Sequence, residues 1–507
     1  MNIVPPMLTS SVRSRSLMVN RAMQLVAAIG LLCFAAGCGS SSSHPSAKVF
    51  TNASLNGNYT YTLDGNSNLS GSTGAYQEAG TFVADGNGHI TGGMDDFAQN
   101  SVLSSGQVTG SYDIAKDGTG MMALNLPRGK IQLAITLISS SSFYIIEFDS
   151  FANGAGVVVS QSTTAFSAAP SGTFIFHFHS SRPNSGALGS VSSVGSMTVQ
   201  NGSISGKEDV VRAGEPGSSR ISGSITAPDA SGRGTATITD DAGTQSTYLY
   251  YVIDSSTMKF LETDPGPLGG GRADAQSGAP FSNASLNKGF AFSSAGDTVD
   301  HLFGVNSAGA FTSDGNGNIV SGTYDSVQDG TPVSNVPLTG TYAVDANGRA
   351  TLTLRPKGLS PIPVIAWLVD SSTAFFLVST PDLAEDGRMN QQQSGAFSAA
   401  SLNGKYAFYM FGYDSGTPPL IDRVGVITFD GSVNLTFTNY FVNRGGAKAQ
   451  KGPVSGHYVV SPNGRVLASS VGTVDWQVLY LISSDSGSLV LAGNGSELAG
   501  SMAQQVP

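Results

Sequence analysis

Cysteine is nearly absent: 507 residues hold two, Cys33 and Cys38, and none follows them. The rest of the chain therefore has no disulfide framework, no thiolate metal ligand and no cysteine nucleophile. Tryptophan (2) and histidine (6) are scarce, and only 12% of residues are charged. What charge there is leans acidic, −10 overall, with no basic run. That disfavours a nucleic-acid partner, because Lys and Arg contacts to phosphate supply most of such affinity. Apart from one stretch near the start, no segment is apolar for long enough to span a bilayer as a helix.

Glycine is abundant instead (64 residues), and 40% of the chain is hydrophobic, enough to fold. Short apolar stretches punctuated by Gly and turn polars are the composition of an all-β protein. The length exceeds one ordinary core, which implies several domains.

Arg13, Arg15 and Arg21 precede the apolar run "AMQLVAAIGLLCFAAG", the layout of a secretory signal. The "AAGC" at its end, Ala35 to Cys38, resembles the bacterial lipobox, although Ala35 stands where Leu is usual. The resemblance implies a signal peptide over 1–37, acylation of Cys38 and a flexible tether over 38–49. It also implies anchorage at the cell envelope through the lipid. Gly39, not Asp, follows the cysteine, which leans toward the outer membrane. An ordinary cleaved signal with an incidental Cys is the alternative. Removing 1–37 removes three Arg and no acid, which takes the charge from −10 to −13.

The remainder repeats itself four times. A Phe opens each copy at Phe50, Phe166, Phe281 and Phe397, at steps of 116, 115 and 116 residues. A Gly-x4-Gln pair closes each: Gly156 with Gln161, Gly271 with Gln276, Gly387 with Gln392, Gly500 with Gln505. Two markers in one register indicate tandem duplication, giving units 50–165, 166–280, 281–396 and 397–507. Within each, Asp-Gly and Asn-Gly turns join stretches of alternating polarity, as in β-hairpins. Copy three reads as eight strands, near 288–294, 302–312, 318–325, 335–345, 349–355, 363–369, 373–380 and 387–393. A meander of eight short-linked strands can close into a small barrel, which removes exposed sheet edges. Tyr59 and Tyr61, Phe174 and Phe176, Phe290 and Phe292, and Tyr406 and Phe408 each share a strand face.

The expected fold is thus all-β, four tandem antiparallel β-meander domains. In architecture the units resemble calycin-like barrels, lipocalins and avidins among them. The aromatic after the first-strand Gly is Tyr or Phe here, not the Trp of those families, so no ligand residue carries over. The whole chain also resembles uncharacterised tandem β-repeat lipoproteins. Immunoglobulin-like sandwiches are the alternative fold.

What recurs in every copy is scaffold: Gly, aromatics, turn polars and Gln. Asp95, Asp209 and Asp325 each follow a Gly by three residues, with Asn439 near the comparable place in copy four. They are candidates for a polar ligand anchor inside each barrel. "DGNG" at 85–88 and 314–317 is read as a hairpin turn in preference to a calcium loop. Glu147/Asp149 and Glu262/Asp264 put two acids on one strand face about 7 Å apart, and are read as solvated strand ends. His177 and His179 share a face turned away from the Phe residues between them, and two imidazoles do not complete a zinc site. "LGGGRAD", 268–274, is read as a loop. The pattern favours a non-catalytic binding, adhesion or structural role with no cofactor and no metal. Its partner would be a small apolar ligand within a barrel, or a surface glycan or protein. The alternatives are an envelope- or polysaccharide-directed hydrolase and a passive spacer.

Overall fold

Turn glycines and alternating apolar residues give, in the computed structural model of the protein, four closed barrels in series. The structure describes residues 48–507 except 70–71, 100–101, 182–189, 266–267, 299–303, 329, 382, 414–419, 471–475 and 494–495. Cys38 and the signal and tether expected around it lie outside these residues. Barrel one runs from strand Asn56–Leu69 to Ala152–Ser160 and barrel two from Gly172–Ser181 to Leu268–Ala275. Barrel three runs from Gly289–Thr298 to Leu383–Gln391 and barrel four from Asn403–Tyr413 to Ser496–Gln504.

Each barrel is an antiparallel meander of eight staves whose opening strand pairs with both the second and the closing strand. In barrels one and four the fourth stave is broken, into Val102–Gln107 with Thr109–Ile114 and Ala447–Lys451 with Val454–Val460. The eight strands of barrel three fall within a few residues of those expected from its sequence. Closure excludes the sandwich, whose two sheets would each keep edges.

One segment corrects its reading. "LGGGRAD" is not a loop but the closing strand of barrel two, paired with both the opening and the penultimate strands. Its glycines answer crowding, not flexibility: a Cβ on Gly271 would sit 2.0 Å from the His177 carbonyl oxygen.

The paired first-strand aromatics all point inward, and each barrel has its own apolar cluster. In barrels one, three and four a 3-10 turn lies across one end and drops Leu55, Leu286 or Leu402 into it as a plug. Tyr112, Tyr342 and Tyr458 donate their hydroxyls to those leucine carbonyls at 2.7, 2.7 and 3.1 Å. The recurring "SLN" is therefore a barrel stopper.

Outward-facing small and aromatic residues make four further clusters, one between each pair of neighbours. Ala79 and Ala98 of barrel one meet Leu249, Tyr251 and Leu261 of barrel two. Ile175, Val194 and Val211 of barrel two meet Trp367, Phe375 and Leu377 of barrel three. Ala291, Ala308 and Val327 of barrel three meet Val478 and Tyr480 of barrel four. Ala407, Val424 and Phe441 of barrel four meet Ala134, Tyr144 and Ile146 of barrel one. Barrel four thus returns to barrel one, and the series closes into a ring.

Candidate functional site

Each seam is fastened by the two markers of the repeat. After its last strand a barrel sends a Gln side chain to two carbonyls of the next. Gln161 donates to Val252 at 2.7 Å, Gln276 to Leu368 at 2.8 Å and Gln392 to Leu481 at 2.7 Å. Gln505, near the chain end, donates to Leu137 of barrel one at 2.8 Å. The following backbone N–H repeats the pattern, ending with Val506 donating to Ile138 at 2.7 Å. The opening Phe covers the same spot: a Cβ on Gly118 would lie 2.7 Å from both Gln505 and Phe50. Gly118, Gly232, Gly348 and Gly464 all have φ between 80° and 90°, which only Gly adopts freely.

Two of the three candidate aspartates belong to these seams, on the outer walls and not inside the barrels. Asp209 accepts from Arg349 of barrel three at 2.7 and 2.9 Å and from the Trp367 indole at 2.9 Å. Asp325 accepts from Arg465 of barrel four at 2.6 and 2.7 Å and from the Tyr480 hydroxyl. The counterpart in copy one is Asp96, held by Arg233 and Tyr251, not Asp95. The doubled Gly92-Gly93 made the spacing ambiguous by one, and one residue flips a strand side chain to the other face. At the fourth seam Asn439 and Thr119 replace the Asp–Arg pair: Asn439 donates to Thr119 at 2.9 Å and to the Asp117 carboxylate at 3.3 Å, and Thr136 pairs with Thr119 across the strands.

Near the meeting of barrels two and three, Asp386 accepts from His177 and His179, each at 2.9 Å. Ser192 donates to the same carboxylate at 3.0 Å, and Asp297 lies 3.7 Å from the other nitrogen of His179. Burial works against the His179 charge, but its bonds to the accepting carboxylates of Asp297 and Asp386, with their negative charge, outweigh burial and raise its pKa to about 10. Both Ser192 and Asp386 engage the same Nδ1, so this is a charge clamp and not a Ser–His–Asp relay, which needs the two nitrogens for separate partners. Sequence placed this pair correctly, facing away from the Phe core.

Asp95 does face the interior, in barrel one. It accepts from Tyr61 at 2.7 Å and from Arg128, which also reaches Glu78 at 2.6 Å and stacks 4.2 Å over Phe97. Burial first, then Glu78, pushes the Asp95 pKa well up, with Arg128 opposing. Glu147 joins this group and is not a solvated strand end: it is 2% exposed, and burial with Asp149 and Glu78 nearby raises it well above the ordinary value. Glu262, its counterpart in barrel two, is likewise buried. Asp149 and Asp264 instead bind backbone N–H groups at turns, at 2.8 and 2.7 Å. So does Asp85 of the first "DGNG", whose carboxylate accepts from Asn87 at 2.7 Å and His89 at 3.0 Å.

Beside this group, on the ring-closing seam, Asp422 of barrel four accepts from Asn153 at 3.0 Å and Gly154 at 2.8 Å. Burial pushes its pKa up to about 7, against the pull of those two bonds. A folded-state value above the unfolded one contributes stability fully below about pH 4, lost as pH rises through about 7. Asp422→Asn keeps an acceptor for both donors and cannot ionise. Urea unfolding of the wild type is expected to weaken by roughly 2–4 kcal/mol between pH 4 and pH 8 through this group. The variant should lose that part of the dependence.

The interior of barrel two retains a cavity of only ≈ 50 Å³. The larger space is a cleft of ≈ 500 Å³ between barrels three and four, along the linker 392–397. Phe311 and Phe397 form its apolar wall, and Lys288, Gln391, Gln393, Thr312 and Ser321 supply polar groups. Among the described residues, no carboxylate, histidine or cysteine lines it. Sequence pattern could not reveal the cleft, which exists only where two barrels meet.

The geometry defines a ring of four antiparallel barrels. No protein-family model and no curated protein matches the chain. Among solved structures, intact Ap-TbpB with its N and C lobes aligns at 8% identity over 89% of this chain and 95% of its own, TM-score 0.19. CghA with Sch210972 aligns at 8% identity over 88% of each chain, TM-score 0.15. Overlaps this loose carry no argument about function.

Proposed function

We propose that the protein is an exported, lipid-anchored, non-catalytic binding protein of the cell envelope, held by an acylated Cys38 at the outer membrane. The observation that carries the binding reading is the composition of the cleft between barrels three and four. A hydrolase needs an acid, a base or a nucleophile at the substrate, and the ≈ 500 Å³ space has amides, hydroxyls and one lysine. The buried acids Glu78 and Asp95 of barrel one are tied to Arg128.

The ≈ 50 Å³ left in barrel two is far below the ~300 Å³ lower bound of a small-molecule pocket. A small apolar ligand inside that barrel is therefore not part of the proposal; the ligand sits between barrels. Barrels that hold their own side chains serve as rigid staves of the ring, which is the useful part of the spacer reading.

Feeding radiolabelled palmitate to cells expressing the chain tests the anchor. Label is expected in the wild type and not in Cys38→Ser, which should leave the membrane fraction. A wild type without label, or a serine variant that stays membrane-bound, overturns it.

A further inference from the structure

The cleft between barrels three and four carries a lysine where the equivalent place of every other barrel has glycine. Two positions before the first inward aromatic, barrels one, two and four have Gly57, Gly172 and Gly404, at φ of 132°, 117° and 117°. Barrel three has Lys288 there, exposed and lining the cleft. Its ammonium donates to the Gln391 side-chain oxygen at 2.8 Å, which leaves the Gln391 amide NH2 as a donor. The Gln393 oxygen is likewise occupied, by the Ser484 N–H at 2.9 Å, so its NH2 is also the group on offer. Thr312 and Ser321 add exposed hydroxyls. The result is one point charge amid neutral donors and acceptors, beside the apolar edges of Phe311 and Phe397.

We propose that this cleft binds a saccharide carrying a carboxylate, a uronate, with the carboxylate on Lys288 and sugar hydroxyls on Gln391, Gln393, Thr312 and Ser321. This rests on the binding role above and names its ligand. A peptide is less well served: the opening strand of barrel three is paired on both sides, so no sheet edge is free for an added strand. A phosphate ligand calls for more than one cation or a concave set of backbone N–H groups, and among the described residues Lys288 is the only cation lining the cleft. A sugar ring matches what is present, since its hydroxyls pair with amides and its C–H face packs on apolar surface.

The test is calorimetric titration of the full chain with digalacturonate and with the neutral galactobiose. Saturable binding of digalacturonate is expected, weakened at least tenfold in Lys288→Gly, with galactobiose weak in both proteins. The glycine is the residue of the other three barrels at this place, so the variant should melt like the wild type. No binding of digalacturonate, or equal affinity in Lys288→Gly, overturns the proposal. Palmitate labelling is an independent measurement, so a failure in the cleft and a failure of the anchor can be told apart.

Discussion

Arg128→Met is expected to cost barrel one about 3–5 kcal/mol at neutral pH, the range for removing one partner from a buried ion pair. Arg128 is the counter-charge for both Glu78 and Asp95, whose side chains are 0% and 2% exposed. Without it these acids and Glu147 stand within one barrel and must either ionise unpaired or take up protons. Burial already raises Asp95 and Glu147 in the presence of the arginine. Removing a neighbour that lowers both must raise them further. Groups with raised values stabilise at low pH and lose that contribution as pH climbs through the folded-state value. The variant's deficit should therefore shrink on acidification toward pH 4. Urea unfolding at pH 4, 5.5 and 7.5, followed by near-ultraviolet circular dichroism from Tyr61 and Tyr76, reads both effects. A deficit below about 1 kcal/mol at pH 7.5 would mean that the acids are neutral already.

How much of this was legible in the sequence depended on which face of a strand carried the information. Inward faces follow the alternation of Tyr59 with Tyr61 or Phe290 with Phe292, and that rule counted eight strands in copy three. Outward faces follow no such rule. Ala291, Ala308 and Val327 read as ordinary strand residues, and only the partner barrel makes them a seam. The opening Phe and closing Gln were visible as markers because repetition exposes them. Their purpose was not, because Gln505 acts on a barrel whose sequence lies at the other end of the chain. Acids misled for the opposite reason: carboxylates near strand ends are usually solvated, and Glu147 is exceptional because it is buried, with Glu78 of another strand and Arg128 of a turn near it. The closing strand of barrel two was hidden by its glycines, which stand where neighbouring strands press too close for a side chain.

The second large effect concerns how the ring keeps its order. Asp325→Ala should cost about 3–5 kcal/mol, because it strands Arg465, whose side chain is 8% exposed, and takes the acceptor from Tyr480. The wild-type pairing works in the other direction: burial alone would raise Asp325, but Arg465 and Tyr480 hold it below the ordinary carboxylate value. Its contribution is therefore present above about pH 4 and lost as pH falls below that. Adding Arg465→Met to Asp325→Ala removes the stranded charge and should return most of the loss, since a buried ion pair and an apolar pair of similar volume are often close in stability. The fourth seam gives the control. Asn439→Ala there removes a neutral amide that donates to Thr119 and Asp117, strands no buried cation, and should cost about 1 kcal/mol. Equal losses at the two seams would show that charge is incidental to both. A large loss at Asp325, recovered in the double variant, would mean that the ion pair adds little net stability while heavily penalising a mismatch. Three seams carry an Asp–Arg pair with an aromatic donor, and the fourth, which no linker joins, carries Asn439, Thr119 and Thr136. An aspartate brought against Thr119 would find no cation there and would lie against the Asp117 carboxylate. The chemistry at the closure thus marks barrel four as the one to meet barrel one.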